Sequence, residues 1–371
     1  MRPLQHLLVL DFSTLLPGPL ATLMLCEAGA EVIKIERPGG GDEMRGYPPG
    51  FGGASANFAL LNRGKRSVTL DLKDRADRER LHPLLQSADV LVEQFRPGVM
   101  DRLGLSYAAV AAINPRLIYC SITGYGQTGP RRHASGHDLN YIAGTGLLAL
   151  GHGDPARPVV PPALIADIAG GAYPAVMNIL LALTARAQGG GGRHLDISMT
   201  DNLFPFLYWA MGQGLAGGVW PGNGTDLVTG GSARYRLYPT ADGGLLAAAP
   251  IEDRFWAVFC AAIGLAPALR DDARDPAATV AGVAAIIAAS PAAHWRAVFG
   301  QADCCCAVVA TLQQAMADPH FAARGLFAHG VTGAGGARLP ALPLALDPAF
   351  RAPPGDAGFP APGADNAILP P

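Results

Sequence analysis

The stretch QHLLVLDFSTLLPGPLATLMLCEAGAEVIKIE, residues 5–36, decides the fold. Leu7-Leu8-Val9-Leu10 is a short apolar run of strand length. Pro17-Gly18-Pro19 opens a helix through about Ala28, because the N–H that proline lacks has no partner in a first helical turn anyway. Gly29 stops that helix, and Val32-Ile33-Lys34-Ile35-Glu36 is the next strand. Strand, helix and strand in succession make a parallel crossover unit. The alternation continues, with strands over 68–72, 89–93 and 117–122 and helices over 75–86 and 107–113. It predicts an α/β fold built on a doubly wound, mainly parallel sheet. The first crossover turn, Ser13-Thr14-Leu15-Leu16-Pro17-Gly18-Pro19, carries no GxGxxG, and no Walker-type phosphate loop occurs, so nicotinamide and P-loop chemistry lose ground.

With 371 residues the chain exceeds one ordinary core. The reading is a large α/β domain over 1–213, a glycine-rich linker over 214–232, and a smaller α+β domain over 233–325. A segment over 326–371, rich in Pro, Gly and Ala, follows as an irregular covering. A hairpin is expected in the smaller domain, where Arg234–Tyr238 and Leu245–Ala249 flank Asp242-Gly243-Gly244. Half of the residues are hydrophobic, 16% are charged and the formal net charge is −2, so no global attraction draws the chain to nucleic acid or an anionic membrane. Ile168 to Ala185 is free of charge, but it contains Gly170, Gly171, Pro174 and Asn178 and reads as a helix buried in a large domain. Six cysteines show no spaced framework, and the adjacent Cys304-Cys305-Cys306 cannot all face one metal, because strand side chains alternate. They read as free thiols in a buried strand or core segment. Together with the absence of a signal-peptide pattern, that points to a reducing, cytoplasmic setting.

Chemistry concentrates in Gly136-His137-Asp138-Leu139-Asn140-Tyr141 and in Asp167 of Leu164-Ile165-Ala166-Asp167-Ile168-Ala169-Gly170-Gly171. An imidazole beside a carboxylate, plus a second carboxylate at the head of an apolar helix, suits moving a proton to and from carbon. Each residue has a plainer reading. Asp138 either orients the ring or caps a turn. Asp167 is either a first-turn acid or a carboxylate at a pocket mouth, beside a Gly-Gly pair that admits a ligand closely. Glu252 opens a helix and fits the first-turn role. His133 and His137 stand four apart, yet no His-Glu-x-x-His pattern supports zinc, and no metal is expected. The run Asn62-Arg63-Gly64-Lys65-Arg66, with Arg37, Lys73, Arg96 and Arg102, either neutralises a phosphorylated ligand or is ordinary surface.

These segments together resemble the family III CoA-transferase superfamily, and within it the α-methylacyl-CoA racemase branch. The matching segments are Lys34-Ile35-Glu36-Arg37-Pro38, Leu61-Asn62-Arg63-Gly64-Lys65-Arg66-Ser67, and Phe95-Arg96-Pro97-Gly98-Val99 with Asp101-Arg102-Leu103-Gly104. Further matches are Ile122-Thr123-Gly124-Tyr125-Gly126-Gln127-Thr128-Gly129-Pro130, the Gly136 to Tyr141 run, and Asp167 with its helix. The resemblance implies an interlocked homodimer that binds acyl-CoA, with the C-terminal segment returning to the large domain. It implies CoA contacts at Pro17, Arg37, Leu70, Lys73, Gln94, Phe95 and Arg102. It also implies catalysis by His137 and Asp167, with Asp138 and Glu252 supporting the imidazolium. In the racemase branch the aspartate is an acid/base opposed by the histidine, and 2-methyl-branched acyl-CoA epimers interconvert through an enolate. No cofactor is required, since coenzyme A is part of the substrate. In the transferase branch the same aspartate is a covalent nucleophile. His137, and Gly230-Gly231-Ser232-Ala233-Arg234-Tyr235 in place of a longer polyglycine loop, lean toward the racemase branch.

Overall fold

The computed structural model describes residues 2–370. Two compact units emerge, a larger one of residues up to 145, Ala163–Pro205 and everything from Pro319, and a smaller one of Gly146–Pro162 and Phe206–Asp318. The larger unit is built on six parallel strands: β1 (Leu8–Asp11), β2 (Glu31–Glu36), β3 (Arg66–Thr69), β4 (Val90–Glu93), β5 (Ile118–Thr123) and β6 (Arg193–Ser198). Their spatial order is β6-β5-β4-β1-β2-β3. Strand succession therefore reverses between β1 and β4, which is the switch point of a doubly wound sheet. Helices α1 (Pro17–Glu27), α2 (Arg75–Ser87), α3 (Tyr107–Ile113), α4 (Asp138–Gly144) and α5 (Tyr173–Ala187) fill the crossovers. Leu81 and Leu85 of α2 and Val110 of α3 pack with Leu10, Ile33, Val68 and Leu91 of the strands, while α1 and α5 pack together.

Charged side chains lie under this sheet edge. Lys65 Nζ, fully buried, donates to Asp11 Oδ2 (3.0 Å), Thr22 Oγ1 (2.8 Å), Asn62 Oδ1 (2.9 Å) and the Pro19 carbonyl (3.0 Å). Burial alone would raise the Asp11 carboxyl, but the Lys65 and Lys34 charges, together with the Ser13 and Thr22 hydrogen bonds, outweigh it and hold the acid well below the usual range. Lys34 Nζ sits 3.0 Å from Asp42 and donates to the Ser13 carbonyl at 2.6 Å. Arg63, also buried, pairs with Glu27 at 2.7 Å and donates to the Leu60 and Leu342 carbonyls. Arg66 is shared between Glu31 and Asp365. The basic run over 62–66 thus faces inward or is already paired, and it is not a phosphate-binding cluster.

Three further expectations change. The stretch 214–232 is not a linker: helix α6 (Tyr208–Gly217) enters it, the Trp220 ring covers Gly214, and Asp226, Thr229 and Gly231 close a hydrogen-bonded turn. Gly214 and Gly231 serve close packing there, and the chain leaves the larger unit at Pro205 and returns at Pro319. Residues 146–162 join the smaller unit through paired hydrogen bonds between Gly153 and Asn223. Helix α5 is not buried all round: Ala175, Val176, Ile179 and Ala182 face inward, while Tyr173, Met177, Leu180 and Leu181 are exposed. With the preceding turn it makes an apolar helix, Ala166–Ala187, long enough by length and composition to cross a membrane, and a little under half of it is buried within the protein.

In the smaller unit, β7 (Arg236–Pro239), β8 (Leu245–Ala248) and β9 (Cys306–Val308) form an antiparallel sheet. Helices α7 (Asp253–Ala262), α8 (Pro276–Ala288) and α9 (Ala292–Phe299) contribute Trp256, Phe259, Val283, Ile287, Trp295 and Phe299 to its core. Only Cys304 of the cysteine run is buried, Cys305 is exposed at φ 57°, and Cys306 begins β9. The tail is more regular than its composition suggests, since Gly330–Thr332, Arg338–Pro340 and Asp356–Gly358 form a small sheet. Beyond it, Asp365 and Asn366 accept from the Ser67 and Thr69 N–H groups and cover the edge of β3.

Lys65→Met is expected to lower unfolding free energy by about 3–5 kcal/mol, because it leaves the buried Asp11 carboxylate without its ammonium partner. Urea denaturation at pH 7 measures this, and a loss below about 1 kcal/mol would contradict the assigned role.

Candidate active site

At the switch point the loops after β1 and β4 depart to opposite faces of the sheet and leave a crevice between them. The β1 loop is tied down residue by residue. Asp11 accepts from the Ser13 N–H and hydroxyl and from Thr22 Oγ1 (2.6 Å). Leu15 adopts φ 61°, and its N–H donates to Asp42 Oδ1 at 3.1 Å. From β4, Gln94 Nε2 donates to the Thr14 carbonyl (2.6 Å), and its Oε1 accepts the Gly18 N–H (3.0 Å). The crevice continues past the end of β5 into α4, where the Tyr141 ring covers Gly124 and Gly136 and its hydroxyl donates to the Gly136 carbonyl at 2.6 Å. The resulting cavity is about 600 Å³, and Leu15, Pro17, Gln94, Phe95, Arg96, Arg132, His137, Tyr141, Asp167 and Met199 are in its wall.

His137 and Asp167 therefore share one site. His137 is the exposed residue preceding α4, and its N–H donates to Asn140 Oδ1 at 3.0 Å. Asp167 lies on a π-helical turn, Ala166–Ala172, an uncommon geometry that recurs at functional sites. Gly170 and Gly171 let that turn pack closely: a Cβ on Gly170 would strike the Met199 carbonyl, and one on Gly171 would press on Met199 and Pro17. Asn202 Nδ2 adds a bond to the Gly170 carbonyl (2.9 Å). The glycine pair thus admits the neighbouring chain, not a ligand.

Asp138 has a different task from that expected. It is buried, and its Oδ1 accepts the Asp167 N–H at 3.0 Å, so it braces the second carboxylate instead of the imidazole. Burial and then the Asp138 charge push the Asp167 carboxyl up from 3.8 to about 6, against a smaller opposing effect of His137. Burial and the Asp167 charge likewise raise the Tyr141 phenol to about 12.

Of the other residues singled out from sequence, Pro17, Gln94 and Phe95 are in the cavity wall. Arg37 and Lys73 are exposed beyond the carboxyl ends of β2 and β3, on the same sheet edge. Arg37 Nε donates to the Gly41 carbonyl, and its guanidinium lies 3.6 Å from Glu43. Leu70 is a core residue, 1% exposed, so any ligand contact from that position falls to the backbone. Arg102 is exposed on the short helix Val99–Arg102. Glu252 is the exposed residue preceding α7 in the smaller unit. Among the described residues no cluster of three or more His, Cys, Asp or Glu is suited to a metal, and His133 Nε2 accepts from Arg132 Nε at 3.0 Å. Arg132 and Met199 were not singled out from sequence, and Leu15 was covered only by its turn next to Pro17. Arg96 stood within a quoted motif, whereas nothing in a sequence announces the backbone angle of Leu15.

Fold and site together define an α/β enzyme with its ligand cavity at the switch point of a parallel sheet. The model of CoA-transferase family III matches residues 4–366, and the chain belongs to that family, which includes both transferases and racemases. It is 36% identical to acetyl-CoA:oxalate CoA-transferase of Acetobacter aceti, over 93% of this chain and 89% of the relative. It is 32% identical to the human α-methylacyl-CoA racemase, over 87% and 82% respectively. Among solved structures it resembles a CAIB/BAIF family protein from Brucella suis, with TM-score 0.79, 29% identity and 99% and 98% of the two chains covered.

An acid whose folded pKa exceeds its ordinary value binds more protons folded than unfolded across that interval, so stability falls as pH rises from 3.8 to about 6. Asp167→Asn is accordingly expected to stabilise the protein by about 1–3 kcal/mol at pH 8, with the gain vanishing below pH ~4. Urea unfolding at the two pH values tests this, and a destabilised variant at pH 8 would refute the strained carboxylate.

Proposed function

We propose that the cavity binds an acyl-CoA thioester and that His137 and Asp167 move the proton on its α-carbon, epimerising 2-methyl-branched acyl-CoA. One observation carries the reading: an imidazole and a carboxyl raised to about 6 come from two different elements into one cavity. The thioester carbonyl acidifies the α-C–H. Neutral His137 takes that proton, leaving a planar enolate, and protonated Asp167 returns one to the opposite face; the other epimer uses the two groups in reverse. An aspartate titrating near 6 reaches both protonation states close to neutral pH, as this exchange demands. The reaction so written uses neither metal nor redox cofactor. The interlocked homodimer and the cytoplasmic setting belong to the same proposal.

A second reading is favoured by the relatives. The match to the acetyl-CoA:oxalate enzyme is stronger than that to the racemase, and succinyl-CoA:glutarate CoA-transferase of mouse is 35% identical over 74% of this chain. In that reading the Asp167 carboxylate attacks the thioester carbonyl, expels CoA thiolate and forms an acyl anhydride. The thiolate then attacks the aspartyl carbonyl, releasing the acid and leaving CoA on the enzyme for a second acid.

Incubation of one 2-methylacyl-CoA epimer in D2O separates the two. Proton transfer gives α-deuterium and both epimers with no added acid, and His137→Ala abolishes it while CoA binding persists. CoA transfer to an added carboxylic acid without α-exchange would decide for the second reading.

Asp138→Asn keeps an acceptor for the Asp167 N–H but removes a charge that raises its carboxyl. The limb of the pH–rate profile that reports Asp167 is then expected to move to lower pH. An unmoved limb would assign it to another group.

A further inference from the structure

We infer that Leu15 sets how large an α-substituent the cavity accepts. The inference rests on the cavity being the acyl-CoA site. Leu15 and Cys305 are the non-glycine residues at positive φ among those described, and Cys305 is remote from the cavity in sequence and in unit. A backbone at φ 61° suits glycine or asparagine, so a branched residue persists there where the surroundings hold it and its side chain has a use. The surroundings do hold it. Asp42 accepts the Leu15 N–H (3.1 Å), Lys34 donates to the Ser13 carbonyl (2.6 Å), and Gln94 donates to the Thr14 carbonyl (2.6 Å) and accepts the Gly18 N–H (3.0 Å). Asp42 and Lys34 are buried and paired with each other at 3.0 Å, so the loop is fastened from inside the fold.

The same loop abuts the catalytic element. The Pro17 Cβ lies 3.2 Å from where a Cβ of Gly171 would stand, on the π turn that carries Asp167. Leu15 shares the cavity wall with Asp167 and His137. An isobutyl group on a clamped backbone cannot swing away with its loop, so it acts as a fixed stop for whatever the α-carbon carries. A glycine would satisfy the backbone better and leave that volume open, which makes the leucine a matter of shape selection rather than of folding.

The test compares Leu15→Gly and Leu15→Phe with the native protein on propanoyl-CoA and 2-phenylpropanoyl-CoA. Both α-deuterium incorporation in D2O and CoA transfer to an added acid are followed. The expected result is that Leu15→Gly raises the kcat/KM ratio of the bulky to the small thioester by about ten-fold or more, and that Leu15→Phe lowers it comparably, the size of effect that pocket volume gives. Melting of Leu15→Gly at or above the native temperature shows that the variant folds and that the strain has been relieved. Ratios within about two-fold of native in both variants, in a protein whose turnover is lost in Asp167→Asn, would overturn the role of Leu15 and leave the site reading intact. Turnover that survives Asp167→Asn, or native protein with neither activity, would overturn the site reading and the inference with it.

Discussion

Two buried lysines carry the reaction loop. Lys65 and Lys34 lie inside the larger unit, each facing one carboxylate, Asp11 and Asp42; Lys34 also donates to the Ser13 carbonyl in the loop after β1, and Lys65 to the Pro19 carbonyl in the first turn of α1. Charges this deep persist only with partners that repay their lost hydration. That requirement fixes positions more sharply than apolar packing does, because an ion pair tolerates less drift than a methyl contact. Gln94 extends the fastening across the switch point, so the two loops that wall the cavity move as one body.

Beside this rigid edge stands an electrostatic arrangement of the opposite kind. Asp138 supplies Asp167 with a hydrogen-bond acceptor for its N–H and with an unfavourable like charge for its side chain. The backbone is held while the carboxylate is discouraged from ionising. The combination favours a carboxyl that takes up a proton at a higher pH than an ordinary aspartate does. His137, exposed directly before Asp138, is in the wall of the same cavity.

Much of the fold was legible. The alternation of apolar runs and helical stretches over 5–122 gave β1 to β5 within a few residues, because buried parallel strands leave a plain sequence trace. Where the reading failed, the same residue type served two purposes. The glycines over 214–232 suggested a linker, but two of them, Gly214 and Gly231, allow a tryptophan and a turn to pack closely. Arginine and lysine over 62–66 suggested a phosphate site, yet their four ion pairs are with Glu27, Asp11, Glu31 and Asp365, all far away in sequence. At the site, His137 and Asp167 were found by chemical type, whereas the bracing bond from Asp138 to Asp167 depends on a separation of 29 residues that only folding closes. The π turn and the left-handed Leu15 are backbone facts with no side-chain signature.

The larger unit closes its sheet with the last part of the chain. Asp365 and Asn366 occupy the edge of β3, and Arg351 joins Arg63 on Glu27. On the ribosome, β3 therefore emerges roughly three hundred residues before the groups that cover its edge, and at about 5–20 residues per second it stays open for many seconds. The smaller unit is threaded between, so its completion precedes that of the larger one. Synthesis thus makes β3 early and covers its edge last.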